Sequence, residues 1–120
     1  MKTSLLFSVL FLLLILAITP AQSLAAFYSG SDLVALMPEW DKMYAKARGV
    51  DLEKAYIFGA YITGVCDGTE SQYSIPPGAN KGQIIAVVSK YLKTHPEQRG
   101  DSAASLVIKA LGEAFPRKSQ

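Results

Sequence analysis

Between Asn80 and Pro116 the chain carries two helix starts, two helix stops and an apolar register that a helix alone satisfies. Asn80 is a favoured N-cap, and Gln83 stands three residues on, as the reciprocal half of a capping box. Ile84, Ile85, Val88, Tyr91 and Leu92 then recur at spacings of three and four, which puts them on one helix face. Lys90 and Lys93 lie near the end of this run, where the helix dipole favours cations. His95 precedes Pro96, whose ring pushes it away from helical geometry and stops the helix. Glu97 to Gly100 reads as a polar turn, and Asp101 or Ser102 caps the next helix. Leu106, Val107, Ala110, Leu111, Ala114 and Phe115 form its stripe before Pro116 ends it.

Upstream, two further helices are expected. The first opens at Ser31-Asp32 and carries Leu33, Leu36, Met37, Trp40, Tyr44 and Ala47 on one face, with Gly49 as its stop. Pro38 falls inside this register and either kinks the helix or opens a new one. The second begins at Asp51. From Ala55 to Cys66 only Thr63 interrupts a sequence of apolar residues and glycine. Tyr56, Ile57, Phe58, Tyr61, Ile62 and Val65 favour strands by propensity. The length of about twelve residues decides for helix, and a helix apolar all round is expected to be buried at the centre. Gly59, Gly64 and Gly68 each cost about 1 kcal/mol against Ala in a helix, so a packing reason is expected for them. Asp67 to Ala79, rich in Asp, Gly, Ser and Pro, reads as a loop. The expectation is an all-α fold: one small compact bundle of about four helices, with no internal repeat.

The N-terminus is of another kind. Lys2 is followed by an almost wholly apolar run from Leu5 to Ile18, then by Thr19-Pro20 and the small residues Ala21, Ser23, Ala25 and Ala26. That is the pattern of a secretory signal peptide over residues 1–25, cleaved after Ala25. The run is short for a membrane-spanning helix, so an uncleaved N-terminal anchor is the lesser alternative. Residues 26–120 then form a single exported domain, without a membrane segment after cleavage. Loss of Lys2 leaves eleven basic against ten acidic residues, a charge of +1. Nothing forms the basic stripe that nucleic acid requires. Cys66 is the single cysteine, so no internal disulfide is available, and it reads as a small buried hydrophobe.

No motif for catalysis, cofactor or metal stands out. His95 is the lone histidine, and metal sites need clusters of ligands. A Cys66–His95 nucleophilic pair is formally possible, but apolar neighbours Val65 and Ile62 oppose an activated thiolate. Asp67 and Glu70 read as solvated loop acids. For binding a partner, the loop Asp67–Ser74 is the first candidate, with Asp67, Glu70 and Gln72 beside Tyr73 as an aromatic anchor. The turn from His95 to Arg99 is the second.

Taken in order, Tyr61-Ile62-Thr63-Gly64-Val65, Ile75-Pro76-Pro77-Gly78, Gly82-Gln83, Tyr91-Leu92-Lys93-Thr94-His95-Pro96-Glu97 and Ala114-Phe115-Pro116 make a specific series. It resembles the Tai/Rap immunity proteins of bacterial type VI secretion, over roughly Ser31 to Pro116. The resemblance implies a non-enzymatic helical protein without cofactors. It also implies a periplasmic partner, a protein effector such as a peptidoglycan amidase, neutralised by a loop that plugs its cleft. A homodimer is implied as well. Relatives often carry cysteines at positions matching Phe58, Ser74 and Arg117, and glycine at Ala60, so this chain looks like a divergent member. A housekeeping periplasmic helical module without a toxin partner is the alternative reading.

Overall fold

The computed structural model describes residues 2–5 and 27–119. Apart from residues 2–5, the expected signal peptide and its cleavage site lie outside the described residues. From residue 27 onward the chain forms four α-helices: α1 (Gly30–Tyr44), α2 (Leu52–Gly68), α3 (Lys81–Thr94) and α4 (Ala103–Ala114). Short 3-10 turns at Glu70–Gln72 and Pro96–Gln98 lie in the connections. The all-helical expectation holds, with an isolated bridge between Ser29 and Ser102 as the one β-like contact among the described residues.

The helix starts follow local side-chain chemistry. Asn80 and Gln83 make the reciprocal capping box of α3: Gln83 N–H donates to Asn80 Oδ1 at 3.0 Å, and Asn80 N–H donates to Gln83 Oε1 at 2.9 Å. Asp51 caps α2 and Ser102 caps α4. The cap of α1 lies two residues earlier than expected. Ser29 is the cap and Asp32, three residues on, completes a capping box, so Ser31 is already inside the helix. Pro38 is accommodated within α1. The helix ends at Tyr44, before the expected Gly49, and the chain turns through positive φ at Lys46 and Gly49.

Burial then joins the helices. Phe58, Leu33, Ile62, Ile85, Leu92, Leu106 and Leu111 are wholly buried and draw on all four helices. Each such side chain contributes roughly 1.5–3 kcal/mol on leaving water. The first turn of α1 is sewn to the α3–α4 connection. Gly30 N–H donates to Asp101 O, Ser31 N–H donates to Arg99 O, and Ala103 N–H donates to Tyr28 O, each at 2.9 Å. A side chain at Gly30 has no room there, because a Cβ would meet Leu106 Cδ1 and stand 2.9 Å from Arg99 O.

Two expectations need correction. Asp67 belongs to the last turn of α2, and the segment after it is partly a 3-10 turn, so the loop proper is shorter than Asp67–Ala79. Helix α2 is not buried all round either. Ala55, Phe58, Gly59, Ile62 and Cys66 face the core, but Leu52 is 52% and Tyr56 60% exposed, and Ala60 and Gly64 are exposed with them. Three other helices cannot enclose a fourth in a chain this small, so one side of α2 stays in solvent.

Candidate functional site

The α2–α3 connection is held from inside by Tyr73. Its side chain is only 4% exposed. The phenol donates to Cys66 O at 3.0 Å and meets Thr69 Oγ1, which itself donates to Val65 O at 2.7 Å. The two hydroxyls thus share two protons among three close contacts. The carbonyls of Val65 and Cys66 belong to the last turn of α2, where side-chain hydroxyls supplement the backbone bonds, Cys66 O also accepting from Thr69 N–H. Burial pushes the Tyr73 phenol above its ordinary pKa. The role expected for Tyr73 is therefore overturned: the ring is an internal post and presents no surface to a partner. An aromatic ring next to a polar loop gains more from the core than from solvent.

Around that post the connection is tied at several points. Ser74 N–H donates to Phe115 O at 3.0 Å, and Lys118 N–H donates to Ser74 Oγ at 3.4 Å. Ser74 and the segment 115–118 therefore lie side by side. Ala79 N–H closes a turn onto Pro76 O at 3.1 Å, and Gly78 supplies the positive φ it needs. Asp67, Glu70 and Gln72 remain exposed on the outside of this fixed corner.

His95 and Arg99 sit elsewhere. The His95 ring stacks on Tyr91, with centroids 3.9 Å apart, and its Nδ1 lies 2.9 Å from Tyr91 O. Arg99 is half-buried, reaches Leu92 O at 3.5 Å, and its carbonyl accepts from Ser31. Both side chains are thus occupied in closing the α3–α4 turn. The 14 residues of α3 separate them from the Asp67–Gln72 corner, about 20 Å along the axis. The fold does not join the two candidate surfaces into one site.

The same separation dismantles the Cys66–His95 pair. Cys66 lines a small cavity with Asp67, Asn80, Lys81 and Ile84 at the start of α3, whereas His95 follows its end. Cys66 is buried, and that burial raises its thiol pKa, which favours the unreactive form. Among the described residues no group of three or more His, Cys, Asp or Glu side chains could hold a metal ion.

Sequence reasoning missed a groove between α1 and α3. It encloses about 550 Å³ and is lined by Trp40, Tyr44, Ala86, Ser89, Lys90 and Lys93, among others. Lys93 bridges to Asp41 across it at 3.0 Å. No periodicity in either helix marks this groove, because it is lined by residues of both α1 and α3 and exists only once the two pack together. Among the described residues no helix is long and apolar enough to cross a membrane.

Comparison with known proteins gives the family. The model of the Rap1a immunity proteins matches residues 29–116, which span all four helices and every connection between them. A search of curated proteins found no match. Proteins of this family are immunity proteins against type VI effectors and are typically periplasmic. The stapled four-helix scaffold and its match from the α1 cap to Pro116 make this chain a member of the Rap1a immunity protein family.

Proposed function

We propose that the protein is exported to the periplasm and there neutralises a type VI effector, a peptidoglycan amidase or a similar toxin, by covering its active site. The observation that carries this reading is the family match over residues 29–116, nearly the whole described fold. The mechanism is steric and needs no chemistry from the chain. Its contact surface is the corner after α2, with the exposed Asp67, Glu70 and Gln72. The Tyr73 network and the Ser74–Phe115 bond support that choice. A segment already fixed in the free protein loses little conformational entropy on docking, and this is what a tight plug requires.

The test begins with effectors encoded beside this gene, produced with a tag and used to capture the immunity protein. Cells receiving the toxin in the periplasm should survive only when this chain is present. Glu70→Lys and Gln72→Ala should weaken capture at least about tenfold, or 1.4 kcal/mol, while leaving the fold intact. Undiminished capture by both variants would move the contact to another face. Cells that die despite abundant periplasmic protein would end the immunity reading itself.

A further inference from the structure

The groove between α1 and α3 holds a polar group that the fold leaves unused. Ser89 is only 7% exposed, and no other serine, threonine, amide or charged side chain is buried among the described residues. Its Oγ has no hydrogen-bond partner among the described residues. A hydroxyl inside a helix can bond back to the carbonyl four residues earlier. Thr63 does so to Gly59 O and Thr94 to Lys90 O, each at 3.0 Å. Ser89 does not, and it lines the groove instead. A buried hydroxyl without a partner is costly to keep, and alanine would avoid that cost.

The lining is apolar on one side of Ser89 and basic on the other. Towards the start of α3 lie Ala86 and Gly82, faced by the Trp40 and Tyr44 rings of α1. The Tyr44 ring leans over Gly82, where a Cβ would stand 3.4 Å from Tyr44 Cε2. Gly82 and Ser89 are separated by about 10 Å along the helix axis. Towards the end of α3 lie Lys90 and Lys93. Lys93 is held by Asp41 at 3.0 Å, and Lys90 is in no ion pair among the described residues. Two ammonium groups and one carboxylate leave a single positive charge at this end.

We propose that the groove binds a small aromatic monocarboxylate. Its ring lies over Ala86 against Trp40 and Tyr44, and its carboxylate accepts from Ser89 Oγ and faces the Lys90 ammonium. The volume of about 550 Å³ is that of a small-molecule site. Aromatic walls favour an aromatic body, which they meet in offset or edge-on geometry. One carboxylate matches the one unbalanced charge. Ser89 stands before the last turn of α3, so the negative end of the helix dipole bears little on an anion there. The site takes nothing from the toxin, so its test is independent of the immunity reading.

Trp40 is the single tryptophan of the chain, so the one indole N–H resonance in an NMR spectrum reports on the groove. Hydrocinnamate, a phenyl ring with one carboxylate, is the probe, and hydrocinnamyl alcohol is its neutral counterpart. Hydrocinnamate should move the indole resonance saturably, with a Kd of about 1 mM or tighter. The alcohol should bind about fivefold more weakly or worse. Ser89→Ala should weaken hydrocinnamate binding about tenfold without lowering Tm, because the lost hydroxyl has no partner within the described residues. Lys90→Gln should weaken it roughly threefold to fivefold. Ala86→Leu, at an exposed position, should fill the groove and abolish the shift. An indole resonance unmoved at about 10 mM hydrocinnamate overturns the proposal. So do equal affinities for acid and alcohol, unchanged binding by Ser89→Ala, or binding that survives Ala86→Leu. Loss of toxin capture by a folded Ala86→Leu variant, with no hydrocinnamate binding to the wild type, would assign the groove to the toxin and equally overturn it.

Discussion

Gly59 lies directly beneath the Trp40 indole, so close that a Cβ on the glycine would stand 2.5 Å from Trp40 Cζ3. The contact locks α1 against α2, and Trp40 in turn packs on Phe58 with ring centroids 6.3 Å apart. Gly59→Ala should therefore destabilise the protein by about 1–3 kcal/mol, although alanine is the better helix former. Gly64→Ala, on the open side of the same helix, should raise stability by up to about 1 kcal/mol in dilute protein. Paired denaturant titrations measure both, and equal effects would contradict the geometry.

Tyr73→Phe retains the buried ring and removes only the hydroxyl shared by Thr69 and Cys66 O. The expected loss is about 1 kcal/mol, or roughly 4–8 °C in Tm for a domain of this size. If Tyr73 met the toxin instead, the variant would melt normally and lose affinity.

Ser74 and the segment 115–118 already lie side by side. Introducing cysteines as Ser74→Cys with Arg117→Cys should allow a disulfide in the oxidised protein. Closing a loop of this length is worth about 2–4 kcal/mol. Melting curves with and without reductant give the difference.

Acid should weaken the protein through its caps. The Asp32 carboxylate accepts from Ser29 N–H at 2.9 Å, and this bond first, then the Ser29 hydroxyl, holds its carboxyl below the ordinary range. Asp51 is lowered chiefly by the Lys54 N–H, and Glu39 by the Lys42 ammonium and then the Asp51 N–H. A folded pKa below the unfolded one gives stability that is complete above the unfolded value and lost as pH falls through the folded value. The denaturation midpoint should therefore drop below about pH 4. Asp32→Asn should be less stable at neutral pH and show a shallower acid loss.

Cys66 is 8% exposed, with its thiol pKa raised by burial. A thiol reagent should react with it slowly in the native protein and fast in denaturant. Rapid native labelling would reopen a catalytic reading of that residue.

Much of the scaffold was legible in the residues alone, because caps and stops act over three or four positions. Asn80 with Gln83, Asp51 and Ser102 name their helices by bonds to their own nearby backbone, and such bonds need no tertiary partner. Ser29 and Ser31 both precede the same apolar register, so that register alone does not name the cap. The capping box of Ser29 with Asp32 decides between them, and the bridge to the α4 cap through Tyr28 O and Ala103 N–H reinforces it.

The candidate site was less legible. Composition identifies Asp67, Glu70, Gln72 and Tyr73 as polar and aromatic loop residues, and three of the four are indeed exposed. Tyr73 turned inward because the end of α2 offers its phenol the Cys66 carbonyl and the Thr69 hydroxyl, and the core offers its ring cover. The sequence determined an all-helical chain, its caps, and the membership carried by their order. Which side of α2 is covered, which glycine is required, and which tyrosine is buried were decided by the tertiary structure. Those outcomes depend on surfaces that meet only when four helices, distant in sequence, share one core.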